Sequence, residues 1–116
     1  MHELKVKRVY QESDAADGIR ILVDRMWPRG ISKDRMDAWI KSVAPSSELR
    51  KHFHDGTLSF EQFKEKMVNE LEVSDTAQAF KLKVREVLHK SDVTLLFAAK
   101  DEEHNNAVVL KGWILG

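Results

Sequence analysis

Val93-Thr94-Leu95-Leu96-Phe97-Ala98-Ala99, set between Asp92 and Lys100, is the stretch on which the fold turns. An apolar run of strand length closed off by charge is the pattern of a strand buried on both faces. It is also far shorter than the ~20 apolar residues needed to cross a bilayer.

The segments on either side have a different period. Upstream, Phe80, Val84, Val87 and Leu88 form a helical stripe, and Asp75 with Gln78 predicts the cap that starts it. Before that, Ser59 and Gln62 make a capping box ahead of Phe60, Phe63, Met67 and Leu71. Downstream, Asp101 is expected to cap a closing helix that turns Val109, Leu110, Trp113 and Ile114 inward, with His104 at its third position.

Toward the N-terminus, Leu4 to Tyr10 reads as a strand with Leu4 and Val6 opposite Lys5 and Lys7. Ile19 to Arg25 reads as a second strand. Its apolar positions fall on both faces, which places it centrally in a sheet. The polar segment Gln11 to Gly18 separates the two and leaves their pairing open. Met26 to Ser32 is loop, because Pro28 and Gly30 forbid a regular element. Ser32 is expected to cap a short helix from Lys33, and Asp37 to Ala44 is compatible with strand or helix. Ser46 or Ser47 caps a short helix running to about Phe53. Strands interleaved with helices imply an α/β fold: a single compact domain over residues 1–116, with a small, mostly parallel sheet covered by helices.

Of the 116 residues, 42% are hydrophobic and 33% charged, and 19 basic residues balance 19 acidic ones. Balanced charge spread along the chain argues against nonspecific nucleic-acid binding and against an anionic membrane surface. The absence of cysteine excludes disulfides, thiolate metal sites and a cysteine nucleophile. It also suits a reducing compartment, so a cytoplasmic location is expected. Residues 1–10 have no signal-peptide core. No phosphate loop, dinucleotide fingerprint, zinc-protease motif or nucleophile elbow is present, and neither a cofactor nor a metal is expected.

Polar residues crowd the carboxyl ends of the two central strands, the edge where open α/β sheets usually bind ligands. The first group is Asp24-Arg25-Met26-Trp27-Pro28-Arg29-Gly30. Guanidinium forks suit carboxylate or phosphate, and an indole stacks on planar groups. The second is Lys100-Asp101-Glu102-Glu103-His104-Asn105, and the third is Arg50-Lys51-His52-Phe53-His54-Asp55. Each has a plainer reading. Arg25 and Arg29 could be ion-pair partners of Asp24 or Asp34, Trp27 a packed aromatic, Asp101 a helix cap and His104 structural. His52 and His54 could share a ligand only if their segment were extended.

Ile21-Leu22-Val23-Asp24-Arg25-Met26-Trp27-Pro28-Arg29-Gly30 resembles the signature of the YeaO-like family, a branch of the domain of unknown function numbered 488. The resemblance continues through Trp39-Ile40-Lys41, Ala44-Pro45-Ser46 and Leu49-Arg50-Lys51, resumes at Phe63 and Glu70-Leu71, and closes with residues 94–101 and His104-Asn105. His52 stands where the family commonly has tryptophan, and Met67 where it often has tyrosine. Other branches carry a cysteine near the end of the last strand, where this chain reads Ala98-Ala99-Lys100. The resemblance implies an α/β fold and a bacterial-type cytoplasmic protein, and it implies no activity. Its polar signature falls on Asp24, Arg25, Trp27, Arg29, Arg50, Lys100, Asp101, His104 and Asn105.

Three functional expectations follow. In the first, the chain binds or processes a small phosphorylated or carboxylated ligand, nucleotides included. Asp24, Arg25, Trp27, Arg29, Arg50, Lys100 and Asn105 would form the ligand site, and His104 oriented by Asp101 would move a proton. In the second, it is a non-catalytic interaction module for a protein partner or a nucleic-acid end, with Arg25, Trp27 and Arg29 as anchors. A third expectation is a metal-dependent hydrolase using His52, His54, Asp101 or His104.

Overall fold

A computed structural model describes residues 2–116. Four strands, β1 (Leu4–Arg8), β2 (Ile19–Leu22), β3 (Ala38–Trp39) and β4 (Val93–Phe97), form one sheet in the order β1-β4-β2-β3. Every pairing is parallel. Val93 sits opposite both Leu4 and Ile19, so the strands start in step and their carboxyl ends share one edge. Three α-helices, α1 (Ser47–His54), α2 (Phe60–Glu72) and α3 (Asp75–Val87), lie between β3 and β4, and α4 (Asn106–Leu115) follows β4.

The apolar run at residues 93–97 becomes the inner strand β4, and all five of its residues are buried. Alternate side chains go to different partners because a strand has a period of two. Ile21, Val93, Leu95 and Phe97 join the main core with Phe63, Met67, Leu71, Val84, Leu110 and Trp113. All four α-helices therefore lie against one face of the sheet. The opposite face is covered by loops. There Leu22 and Leu96 pack with Val9 under Trp27, Ile31, Met36 and Trp39.

The loop side also holds a buried ionic cluster. Asp14 caps a 3-10 turn over Ala15–Asp17 with a reciprocal capping box. The Asp17 carboxylate binds Lys7 Nζ at 3.0 Å and also meets Arg20 Nη1. Its backbone carbonyl accepts the Thr94 hydroxyl at 2.7 Å.

Several boundaries differ from expectation. β1 and β2 end at Arg8 and Leu22, because the chain leaves the sheet early to build the loops of the carboxyl edge. The ambiguous segment at 37–44 is both things in turn, a two-residue strand and then a 3-10 turn at Lys41–Val43. Ser32 does not cap the 3-10 turn Lys33–Arg35, because its hydroxyl binds the Asp34 carboxylate instead. Ser74, not Asp75, caps α3, with its Oγ accepting from Ala77 N. Gln78 reaches back to Glu72 rather than closing a box. Asp101 does not cap α4. Asn105 does, accepting from Val108 N, and this places His104 ahead of the helix rather than inside it. The Ser59/Gln62 capping box stands as read, and of the two serines offered for α1 it is Ser46 that caps the helix.

Candidate functional site

With all strands parallel and in step, the loops that follow them meet at one edge. Residues 24–29 after β2, 44–45 after β3 and 98–99 with 104–106 after β4 surround a cleft of about 350 Å³, which α1 closes from the side. The three polar segments of the sequence thus converge.

Asp24 sits at the base. Its Oδ2 accepts the Ala98 N–H at 2.9 Å and its Oδ1 accepts Asn106 Nδ2 at 3.1 Å. Its backbone carbonyl takes the Trp39 indole N–H at 2.7 Å. Burial pushes its carboxyl above the usual carboxylate range, against the opposing pull of the Ala98 N–H, Asn106 and the Arg50 charge.

Arg25, Arg29 and Arg50 line the same cleft, and none forms an ion pair with a carboxylate among the described residues. The plainer reading of Arg25 and Arg29 as partners of Asp24 or Asp34 is therefore not what the chain builds. Arg25 is half-buried and anchored by Nη2 on the Pro45 carbonyl at 3.1 Å, while its Nε is buried without a partner. Arg29 is exposed at the rim, where only its carbonyl is held, by the Tyr10 hydroxyl at 3.0 Å. Arg50 projects from α1 with its side chain unbonded among the described residues.

Trp27 lines the cleft but is also a packed aromatic. Its ring meets Trp39 edge-on at 5.1 Å, and its N–H is held by the Ile31 carbonyl at 2.8 Å. His104 contributes an exposed imidazole. Its Nδ1 lies 3.0 Å from Asp101 Oδ2, and its ring stands edge-on to Phe60 at 4.9 Å. Asp101 also accepts the backbone N–H groups of Glu103 and His104, and these contacts hold its carboxyl below the usual range. Asn105 is buried as the cap of α4 and binds the Asp101 carbonyl through Nδ2. Asp101 and Lys100 are exposed and stand outside the cleft lining, so Asp101 reaches the cleft only through His104.

The sequence reading missed the apolar floor. Phe53 and Phe63 stack at 4.3 Å between ring centres and both line the cleft, as do Pro45 and Ala98. Phe63 lay on a helical stripe that reads as pure core, so nothing local marked it. Asn106 was missed because the helix start was assigned to Asp101.

His54 faces the cleft and His52 does not, since residues two apart on a helix point to different sides. Among the described residues no three His, Asp or Glu side chains stand close enough to hold a metal ion. The two departures from the family signature, His52 and Met67, lie outside the cleft, and Met67 is fully buried.

A family model described as the inactive DUF488-N3 subclade matches residues 3–116. The chain is 41% identical over 113 residues to the uncharacterized protein YeaO of Escherichia coli, covering 96% of each. It is 40% identical over 109 residues to the uncharacterized protein Rv3073c of Mycobacterium tuberculosis, covering 92% of this chain and 89% of that one. The uncharacterized protein Mb3100c of Mycobacterium bovis matches to the same extent. No solved structure matches the chain.

Proposed function

The chain belongs to the inactive DUF488-N3 subclade, and from that premise we propose that it is a receptor for a small phosphorylated or carboxylated ligand held in the cleft at the strand ends. One observation carries this reading: three arginines free of ion pairs among the described residues line a single cleft in a protein of zero net charge. Gathering like charges without partners is unfavourable, and an anion offsets that cost. Arg25 supplies an anchored donor, Arg50 a second from the side, and Arg29 a third that can close over the rim.

Binding rather than turnover fits the lining. It contains no Ser, Thr, Cys or Lys, both Asp24 oxygens already accept N–H groups, and the Tyr10 hydroxyl is engaged on the Arg29 carbonyl, which leaves His54 and His104. His104, backed from outside the lining by Asp101, could move a proton. A cytoplasmic setting belongs to the same reading, since a chain without cysteine suits a reducing compartment. No helix among the described residues is long and apolar enough to cross a membrane.

A second reading, docking of a protein partner or a phosphate-bearing nucleic-acid end, is favoured by Met26. This cleft-lining side chain is 64% exposed.

The test is a thermal-shift series with phosphate, sulfate and small carboxylates against chloride at matched ionic strength. Saturating ligand at a hundred times its Kd adds about 2.7 kcal/mol of stability. A selective rise that disappears in Arg50→Ala supports the receptor reading, and that substitution breaks no bond of the fold. A flat response to every anion overturns it and leaves the docking reading.

A further inference from the structure

Resting on the receptor reading, we infer that the ligand is a phosphomonoester carried on an aromatic body, an aryl phosphate or a nucleoside monophosphate. Charge selects the anion. Three guanidiniums against the single carboxyl of Asp24 leave the lining at +2 with the histidines neutral, counted as three minus one. A phosphomonoester carries about −1.5 to −2 near neutral pH, whereas a carboxylate carries only one charge. A phosphate with three terminal oxygens can engage Arg25, Arg29 and Arg50 at once.

The floor selects the body. Phe53 and Phe63 lie nearly parallel, with an interplanar angle of 17°, and Trp27 stands in the wall beside the arginine loop. Aromatic faces and edges favour a planar ring over a flexible acyl chain or a bare inorganic ion. Volume sets the size. At about 350 Å³ the cleft is near the lower end of small-molecule sites, which run from ~300 to ~1,000 Å³. That accommodates one ring system with one phosphate and leaves no room for a dinucleotide.

Titration calorimetry on the intact chain, with inorganic phosphate, benzoate, phenyl phosphate and adenosine monophosphate as probes, decides the matter. Phenyl phosphate should bind at least tenfold more tightly than inorganic phosphate and than benzoate. Arg50→Ala should weaken phenyl phosphate at least fivefold. Phe53→Leu should weaken it while leaving inorganic phosphate unchanged. If phenyl phosphate shows no gain over inorganic phosphate or benzoate, the inference is overturned while the anion cleft stands. If no probe binds, both are overturned. Adenosine monophosphate tighter than phenyl phosphate assigns a nucleotide as the aromatic phosphomonoester, and the reverse order assigns a smaller aryl phosphate.

Discussion

The carboxylate of Asp24 accepts the backbone N–H of Ala98 at 2.9 Å, which ties the chain leaving β2 to the chain leaving β4 at the base of the cleft. Asn106 Nδ2 donates to the same carboxylate and to the Val23 carbonyl, so the start of α4 joins the tie. Removing the acceptor strands a donor away from water. Asp24→Ala should therefore lower unfolding stability by about 1–3 kcal/mol, read from urea denaturation. Asp24→Asn keeps one oxygen for Ala98 and should lose less. Equal midpoints for both variants and the parent would show that the tie contributes nothing.

The part of this arrangement that was legible in the sequence was the part built from local pattern. The apolar run at residues 93–97, the Ser59/Gln62 box and the helical stripes each depend on neighbours within a turn or a strand. The ties across the edge do not. Asp24 meets Ala98 and Asn106 far along the chain, and no spacing announces such a contact. Asp17 falls in the polar segment from Gln11 to Gly18, which reads only as a connection, yet it is buried because Lys7, Arg20 and the Asp14 N–H surround its carboxylate. The helix start at 101–106 was misplaced for a related reason. Asp101 makes a cap-like turn of its own, accepting the N–H of His104, and Asn105 then makes the cap that opens the helix.

Asp17 should shape the acid limb of stability. Burial pushes its carboxyl upward, but Lys7, the Asp14 N–H and Arg20 together outweigh burial and hold it below its ordinary value. A carboxyl depressed in the folded state contributes stability that is present above its unfolded pKa, about 3.9, and is lost as pH falls through the folded value. Asp17→Asn should be less stable than the parent at pH 7, and the gap should narrow below about pH 4. Parallel curves of stability against pH down to acid unfolding would remove Asp17 from this role.

Gly18 is required where Gly30 is only preferred. Gly18 has φ +65°, and a Cβ there would come within 2.1 Å of the Asp92 carbonyl oxygen, which accepts the Ile19 N–H. Backbone on backbone cannot give way cheaply. Gly18→Ala should lower stability by about 2 kcal/mol or more, through strain and displacement of β2 from β4. Gly30 has φ +77° but open space around it, so Gly30→Ala should show only the conformational strain, about 1–2 kcal/mol. Thermal midpoints of the two variants check the order. If Gly30→Ala were the more damaging, the close approach at Asp92 would not be what limits position 18.

The cleft cations should differ in how salt affects them. Arg29 is exposed at the rim, whereas Arg25 is half-buried and held on the Pro45 carbonyl. Screening reaches an exposed charge fully, since the Debye length falls from about 10 Å at 0.1 M to about 3 Å at 1 M salt. Arg29→Ala should therefore weaken phosphate or phenyl phosphate binding several-fold at low ionic strength and hardly at all near 1 M. Arg25→Met removes a shielded donor whose effect depends on direct hydrogen bonding, and it should weaken binding by a similar factor at both. Titrations across ionic strength distinguish the two. Equal salt sensitivity would mean that Arg25 acts through long-range charge and not as a fixed donor.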